Sequence, residues 1–223
     1  MERIDDLGIN GLKLVQDTDL FCFGTDSVLL TDFVRVKTGA KVVDLCTGNG
    51  IIPVLLSAKT KAAKITGIEI LEPSYRLAKR NAKMNNLTDR VDFINGDLKS
   101  WNKYFPSGYA DVVTCNPPYM KVGAGFQNPD DLKATARHEV HADFEDVVSA
   151  ASKILKFGGY FFAVHRADRL CDVLCLMRKY RLEPKRLQFI SPDPKRAANL
   201  ILVEGMLGAA PSLKLESPIY VNI

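Results

Sequence analysis

The sequence lacks the features that mark membrane proteins, disulfide-rich secreted scaffolds and zinc modules. No apolar run approaches the ~20 residues needed to span a bilayer, and no basic N-terminal stretch leads into an apolar segment. The five cysteines are an odd number, and most stand in apolar runs, where a small buried thiol is commoner than a crosslink. Cys171 and Cys175 have neither a second cysteine pair nor a histidine cluster nearby, which argues against zinc. We therefore expect a cytoplasmic protein without a metal site or a membrane association.

Internal repeats, low-complexity tracts and Gly/Ser linkers are also missing, which argues against a modular or disordered chain. The 223 residues are 47% hydrophobic and 25% charged, enough for one substantial core and too few for two. We therefore predict one domain over residues 1–223. Residues 1–150 carry a net charge of −2, whereas residues 151–223 carry +6. This basic end suggests an anionic partner, and a solvated basic face is the alternative.

Short β-branched runs alternate with helix-length segments along the chain. The runs cover residues 41–46, 64–70, 91–94, 110–115 and 160–164, and helical periodicity covers residues 51–59, 72–85 and 144–155. Such alternation predicts a doubly wound α/β fold with a mostly parallel sheet. Near the end, the runs 188–190 and 199–203 are separated by a polar segment too short for a helix. They predict a C-terminal antiparallel hairpin that finishes the sheet.

A glycine loop follows the first of these predicted strands. Gly48 and Gly50 stand between the strand and the next helix, where they would let the backbone approach a ligand and leave the helix-start N–H groups free to bind it. The third glycine of a dinucleotide fingerprint is missing, since Pro53 occupies its place, which weakens a pyrophosphate interpretation. For the loop alone, a plain strand-to-helix turn is the alternative.

Acidic residues near successive strand ends strengthen the interpretation of the loop as a cofactor turn. Glu69 ends the second strand about 20 residues beyond the loop, where a ribose diol needs an acceptor. Asp97 follows the third strand and could accept from an adenine amino group while Leu98 covers the ring. Asp44 lies at the end of the first strand. Any one of these acids could be a solvated loop residue, but three beside a glycine turn indicate a nucleoside-bearing cofactor.

The fourth strand leads directly into Asn116-Pro117-Pro118-Tyr119, across the switch point from the glycine loop. The two prolines restrict the backbone, so the Asn116 amide oxygen and the Pro117 carbonyl become rigid neighbouring acceptors. Two acceptors on one NH₂ group favour a tetrahedral transition state at an otherwise poorly nucleophilic aromatic amine. Tyr119 can then stack on the ring. A Pro-Pro turn that merely ends a strand is the alternative.

Residues 44–50, Glu69, Asp97 and 116–119 together make the chain resemble the class I methyltransferases with an Asn-Pro-Pro-Tyr motif. The resemblance is strongest to the bacterial tRNA(Val) adenine-37 N6-methyltransferase family and covers nearly the whole chain. The further segments that carry it are residues 16–30, with Phe23-Gly24-Thr25-Asp26-Ser27, and Ala136-Arg137-His138-Glu139, His165-Arg166-Ala167 and Glu183-Pro184-Lys185-Arg186. One departure is Cys46, because the wider class often has glycine at that position; its thiol is expected to pack beneath the loop.

The resemblance implies S-adenosyl-L-methionine as cofactor and an adenine in tRNA, next to the anticodon, as the target of N6-methylation. It implies a seven-stranded Rossmann-like core over residues 41–223, with residues 1–40 as an N-terminal extension packing over the cofactor site. The implied cofactor contacts are Thr25 and Asp26 over the methionine end, and Asp44, Gly48, Gly50, Glu69, Asp97, Leu98 and Asn116. The implied catalytic residues are Asn116, Pro117 and Tyr119.

Two other functions stay open from the sequence. Enzymes that methylate the N5 of a glutamine side chain in release factors share the Asn-Pro-Pro-Tyr motif, but they normally carry an added N-terminal helical domain. Only about forty residues precede the first core strand here, which favours a nucleic acid as the target. A cofactor-binding or RNA-binding module without activity is the rival from another class, and the intact motif at Asn116 argues against it.

The RNA contacts are predicted from charge. Lys185, Arg186, Lys195 and Arg196 form the basic end, and phosphate binding competes there with a solvated face. Arg137, His138 and Glu139 either contact RNA or cap the helix that follows. No residue pattern predicts the oligomeric state.

Overall fold

The computed structural model describes residues 1–20, 22–117 and 142–221. The strands are β1 (Glu2–Asp6), β2 (Lys13–Asp17), β3 (Lys41–Leu45), β4 (Lys64–Glu69), β5 (Val91–Asn95), β6 (Ala110–Cys115), β7 (Leu155–Arg166), β8 (Leu182–Ser191), β9 (Leu200–Leu207), β10 (Lys214–Leu215) and β11 (Ile219–Tyr220). The α-helices are α1 (Thr25–Phe33), α2 (Ile51–Lys59), α3 (Glu72–Met84), α4 (Phe144–Ile154) and α5 (Leu170–Lys179). Short 3₁₀ helices cover Leu98–Lys103 and Ala167–Arg169.

The central sheet has the predicted doubly wound order. Seven strands run β8-β9-β7-β6-β3-β4-β5, and the two-residue strands β10 and β11 add to the outer edge of β8. β9 is antiparallel to both β7 and β8, whereas the pairs among β3, β4, β5, β6 and β7 are parallel. The chain moves outward from β3 to β5 and returns to β6 on the other side of β3. This reversal is the switch point at which ligands bind in such sheets.

Both faces of the sheet are covered by helices, which explains the continuous apolar character of the central strands. Alternate residues of one strand enter opposite cores: Phe162 of β7 packs on the side of α1, α2 and α3, and Phe161 packs on the side of α4 and α5. Both rings are fully buried. Because both faces are covered, ligands can reach the sheet at the carboxyl ends of its strands.

The predicted element boundaries need three corrections. β7 begins at Leu155 rather than at residue 160, and the preceding helix ends at Ile154, because Leu155 takes extended backbone angles and pairs with Ala110. The hairpin strands β8 (Leu182–Ser191) and β9 (Leu200–Leu207) are longer than the apolar runs 188–190 and 199–203 that predicted them. The pattern also missed the β1–β2 hairpin, because β1 is short, mostly polar and largely exposed, so it has no apolar alternation to detect.

Candidate cofactor and target site

The glycine loop takes the conformation predicted from its sequence. Gly48 has φ of +55° and Gly50 has φ of +84°, and α2 begins at Ile51. A Cβ at Gly50 would stand 2.7 Å from Cζ of Phe93, whereas a Cβ at Gly48 would meet no atom within 4 Å. Gly50 is therefore required by packing beneath the loop, and Gly48 borders open space.

Cys46 shows why glycine is frequent at its position. Its φ of +57° lies in the left-handed region, which glycine enters without steric cost and other residues enter rarely. The partly buried side chain packs against the core on the α4 and α5 side. The departure from glycine thus preserves the left-handed turn, and the thiol packs against the core as expected.

Glu69 fixes the glycine loop in addition to standing where a ribose acceptor was predicted. The side chain is 2% exposed, and its Oε2 accepts a hydrogen bond from the Gly48 N–H at 2.8 Å while Oε1 accepts from the Leu71 N–H at 2.9 Å. A carboxylate has about four acceptor sites, so these two bonds leave capacity for hydroxyl donors. The loop-fixing role was not predicted from the sequence.

Asp44 lies beneath the loop rather than at its surface. Its carboxylate is fully buried and accepts from Thr47 Oγ1 and Thr114 Oγ1, each at 2.6 Å. Burial raises the pKa of Asp44 to about 7, against the effect of the two threonine hydrogen bonds, and the nearby Glu69 raises it further. In this arrangement Asp44 ties β3, the loop and β6 together. Its contact with the cofactor stays a prediction.

Asp97 and Leu98 follow β5 at the same edge of the sheet. Asp97 Oδ1 accepts from the Lys99 N–H at 2.9 Å and caps the 3₁₀ helix, while Leu98 is 5% exposed and belongs to the core. Asn95 donates from Nδ2 to the backbone oxygens of Glu69, at 2.9 Å, and Ile70, at 3.1 Å. The ends of β4 and β5 are therefore held together beside the glycine loop.

Asn116 is held by the N-terminus of α1. Its Nδ2 donates to Asp26 Oδ2 at 2.9 Å and to Ser27 Oγ at 2.8 Å, and Asp26 Oδ1 accepts from the Ser27 N–H at 2.8 Å. These bonds direct the amide nitrogen toward α1 and so determine where the amide oxygen lies. Asp26, predicted as a cofactor contact, has this second partner, while Thr25 beside it is exposed.

The remainder of the Asn-Pro-Pro-Tyr motif is described only in part. Pro117 is buried directly after Asn116, whereas Pro118, Tyr119, Arg137, His138 and Glu139 lie outside the described residues. The helix that follows, α4, is capped by Asp143, whose side chain accepts from the Asp146 N–H at 2.9 Å. The roles predicted for Arg137, His138 and Glu139, either RNA contact or a helix cap, stay predictions.

The four predicted RNA-binding residues divide into two pairs. Lys195 and Arg196 lie in the turn after β8, at the sheet edge that carries Asn116, because β8 runs in the direction of β6 and β7. Both are exposed, and Arg196 Nε lies 3.2 Å from Asp193. Lys185 and Arg186 stand on β8 itself, and Arg186 lies five residues before its last residue, Ser191, or ~17 Å along the strand.

Lys185 and Arg186, the second pair, have partners within the protein. Lys185 Nζ donates to the Ala210 backbone oxygen at 3.0 Å and to Ser212 Oγ at 2.7 Å. Arg186 Nε donates to buried Glu204 at 2.8 Å, and its guanidinium lies 3.8 Å from the Phe33 ring centroid. Only 14% of the Arg186 side chain is exposed. The geometry therefore favours Lys195 and Arg196 for contact with a large anionic partner.

Sequence reasoning assigned no role to four polar residues that support the site from within the core. They are Ser27, Thr47, Asn81 and Thr114, all buried. Asn81 had a detectable signal, since it stands on the buried stripe of α3 with Leu77, Ala78 and Ala82, where a polar side chain needs a partner. Thr114 had none, because threonine is an ordinary residue in a strand.

Within the described ranges, no three His, Cys, Asp or Glu side chains are grouped in a way that could hold a metal ion. Over the same residues, no helix has the length and apolar character needed to cross a membrane.

The fold and the glycine-loop site are those of a methyltransferase. Residues 12–179 match the family model of the methyltransferase small domain, and the chain belongs to that family. It is similar to proteins named tRNA1(Val) (adenine(37)-N6)-methyltransferase. The relative from Porphyromonas gingivalis is 29% identical over 187 residues, which are 81% of this chain and 72% of the relative. The relative from Vibrio cholerae is 24% identical over 199 residues, 89% of this chain and 80% of the relative.

Solved structures agree on the fold. A predicted O-methyltransferase from Agrobacterium tumefaciens matches with a TM-score of 0.71 and 21% identity, over 87% of this chain and 86% of that one. TYW2 from P. horikoshii, solved in complex with MeSAdo, matches with a TM-score of 0.60 and 16% identity, over 90% and 70%. At these identities the match concerns the fold alone.

Proposed function

We propose that this protein transfers a methyl group from S-adenosyl-L-methionine to the N6 nitrogen of an adenine in tRNA, next to the anticodon. The observation that carries the proposal is the orientation of Asn116, whose amide nitrogen is held by Asp26 and Ser27 at the switch point beside the glycine loop. The family and the names of the relatives support the same reaction.

The residues around the glycine loop fit this cofactor. The space above Gly48 is open, Glu69 has acceptor capacity for a ribose diol, and Asp97 stands at the next strand end for the adenine. Asn49, between the two glycines, has a buried Nδ2 that, among the residues the structure describes, has no hydrogen-bond partner. A buried donor of this kind is costly unless a ligand or water meets it. When bound, the cofactor supplies an electrophilic methyl group.

Asn116 and Pro117 act on the target amine. The Asn116 amide oxygen and the Pro117 carbonyl accept from the two N–H groups of the adenine, which moves the nitrogen lone pair out of conjugation and toward the methyl group. Asp26 and Ser27 keep the Asn116 oxygen in place during this step. The methylated nitrogen then loses its extra proton to water, so the reaction needs positioning rather than a buried base. Tyr119 stacks on the extruded ring.

The proposal also assigns the remaining parts of the chain. Residues 1–223 act as one domain in which residues 1–40 cover the cofactor site, an arrangement supported by the contact of α1 with Asn116. Lys195 and Arg196 contact phosphates near the target base. The protein acts in the cytoplasm, where its tRNA substrate is found.

The test is methylation of purified tRNA by the purified protein. Unmodified tRNA(Val) and a release-factor domain are each incubated with S-adenosyl-L-methionine, and the products are identified by mass spectrometry. We expect N6-methyladenosine in the tRNA and an unchanged protein glutamine. N5-methylglutamine with unmodified tRNA would establish the release-factor activity instead. No transfer to either, combined with retained cofactor binding by calorimetry, would indicate an inactive binding module.

A further inference from the structure

Asn81 of α3 is a fully buried asparagine that binds the backbone of β2. Its Oδ1 accepts from the Val15 N–H at 2.8 Å, and its Nδ2 donates to the Val15 carbonyl at 3.1 Å. The side-chain amide therefore pairs with Val15 as a neighbouring strand would. The N-terminal hairpin is docked on α3 through this pair.

The same amide also reaches the glycine loop. Asn81 Nδ2 donates to the backbone oxygen of Asn49 at 2.9 Å, and Asn49 stands between Gly48 and Gly50. One buried side chain thus joins the loop to the hairpin. A buried carbonyl that loses its donor is unfavourable, so the loop depends on Asn81 for its position.

The hairpin in turn holds the segment that leads to Asn116. Gln16, next to Val15, is 1% exposed, and its Oε1 accepts from the Phe23 N–H at 2.9 Å. The chain then enters α1, where Asp26 and Ser27 bind the Asn116 amide. A series of hydrogen bonds and short chain segments therefore runs from the glycine loop to the residue that receives the target amine.

Asn85, one turn further along α3, provides an internal comparison. Its Oδ1 accepts from the Lys13 N–H at 2.9 Å, and its Nδ2 donates to the Lys13 carbonyl at 2.7 Å. It docks β2 in the same way as Asn81, but its third bond goes to the Asn81 backbone oxygen, at 2.8 Å. The two asparagines share the docking of β2 and differ in the third bond, which reaches the loop only from Asn81; Asn81 is also fully buried, whereas Asn85 is partly exposed.

We propose that Asn81 is a positioning residue of the cofactor site, which links the glycine loop to the N-terminal hairpin so that cofactor binding stabilises the segment holding Asn116. The inference rests on the proposed placement of the cofactor over Gly48 and Gly50. Coupling of this kind is reciprocal. Loosening the hairpin at Asn81 weakens cofactor binding, and the bound cofactor strengthens the hydrogen bond at Phe23.

The experiment compares Asn81→Asp with Asn85→Asp. Each replacement keeps the acceptor for the β2 N–H and removes the donor to the β2 carbonyl, and only the first removes the donor to Asn49. Because Asn81 is more deeply buried, Asn81→Asp should also cost more stability, which the unfolding measurement below accounts for. By calorimetry, we expect the Kd for S-adenosyl-L-methionine to rise about tenfold in Asn81→Asp and to stay within about twofold in Asn85→Asp. Equal changes in the two variants would overturn the inference.

Two further measurements separate this inference from a general loss of stability. Hydrogen exchange at the Phe23 amide should slow on cofactor addition in the unaltered protein and in Asn85→Asp, but not in Asn81→Asp. Urea unfolding of both variants without cofactor gives their stability directly.

Glu69→Ala serves as the reference for the site itself. If Glu69→Ala weakens cofactor binding and Asn81→Asp does not, only the role of Asn81 is wrong. If neither variant weakens cofactor binding, the proposed placement of the cofactor is wrong as well.

Discussion

The cofactor region and the basic C-terminal hairpin use charged side chains in opposite ways. Around the glycine loop, Asp44 and Glu69 are buried, and each accepts two hydrogen bonds from neighbouring elements. On the turn after β8, Lys195 and Arg196 are exposed, and Arg196 forms an ion pair with Asp193 on the same turn. Buried carboxyl groups that accept hydrogen bonds from several elements define one geometry, whereas exposed cations act at longer range and are screened by salt. The comparison contrasts a rigid cofactor region with an adaptable turn, which is the surface proposed to contact RNA.

The largest effect, on kcat, is expected at Asn116, where the methyl group of the cofactor must meet the target base. In Asn116→Ala the target amine loses one of its two acceptors, and kcat should fall by about 10²- to 10³-fold. Cofactor affinity by calorimetry should stay within a few-fold, because the amide serves the transition state. Ser27→Ala, which removes one of the two partners of the amide, should give a smaller loss. A normal kcat in Asn116→Ala would contradict the amine-acceptor mechanism.

The next effect concerns the rigid region. In Glu69→Gln, one of the two backbone N–H groups at Gly48 and Leu71 faces an amide NH₂ instead of an oxygen, and the ribose loses a charged acceptor. The cofactor Kd should rise about tenfold or more. Asp92→Asn on the exposed side of β5 is the control and should leave the Kd unchanged. Titration calorimetry distinguishes them, and equal affinities would remove Glu69 from the site.

Substitutions on the turn after β8 should have weaker effects, and these should be confined to tRNA binding. Replacing Lys195 and Arg196 by Ala should raise the KM for tRNA several-fold and reduce the salt dependence of binding by about one per lost phosphate contact. Lys185→Ala is the matched control, since its ammonium group is engaged with Ala210 and Ser212. If Lys185→Ala weakens tRNA binding as much as the double variant, RNA contact is not confined to the turn.

A separate effect, on stability rather than on ligand binding, is a change in how the free energy of unfolding depends on pH. Asp44 has a pKa of about 7 in the folded protein because it is buried, so the folded state keeps a proton that the unfolded chain releases near pH 4. The free energy of unfolding should therefore fall as pH rises from about 4 to 7. Asp44→Asn stays neutral and should show a flatter profile in urea unfolding between pH 5 and 8. Asp32→Asn, which is exposed, should retain the original slope, and an unchanged slope in Asp44→Asn would assign it to other groups.

Much of the fold was predictable because its signals are local. The strands at residues 41–46, 64–70, 91–94 and 110–115 were located to within one residue at either end, since buried parallel strands are short apolar runs bounded by turns. The β1–β2 hairpin was not found, because β1 is polar and exposed and derives its place from β2, which docks on α3. That docking uses Asn81 and Asn85, whose partners are more than 60 residues away in the chain.

The sequence by itself determined the fold class, the glycine loop and the motif residues at the strand ends, because these depend on backbone preferences and on short-range order. Only the tertiary structure decided which oxygen meets which donor. It placed Asp44 beneath the loop, gave Glu69 a second role at Gly48, turned Asp26 toward Asn116, and separated Lys185 and Arg186 from the exposed pair. Each outcome depends on groups distant in sequence that meet across the sheet, where burial makes every polar atom require a partner.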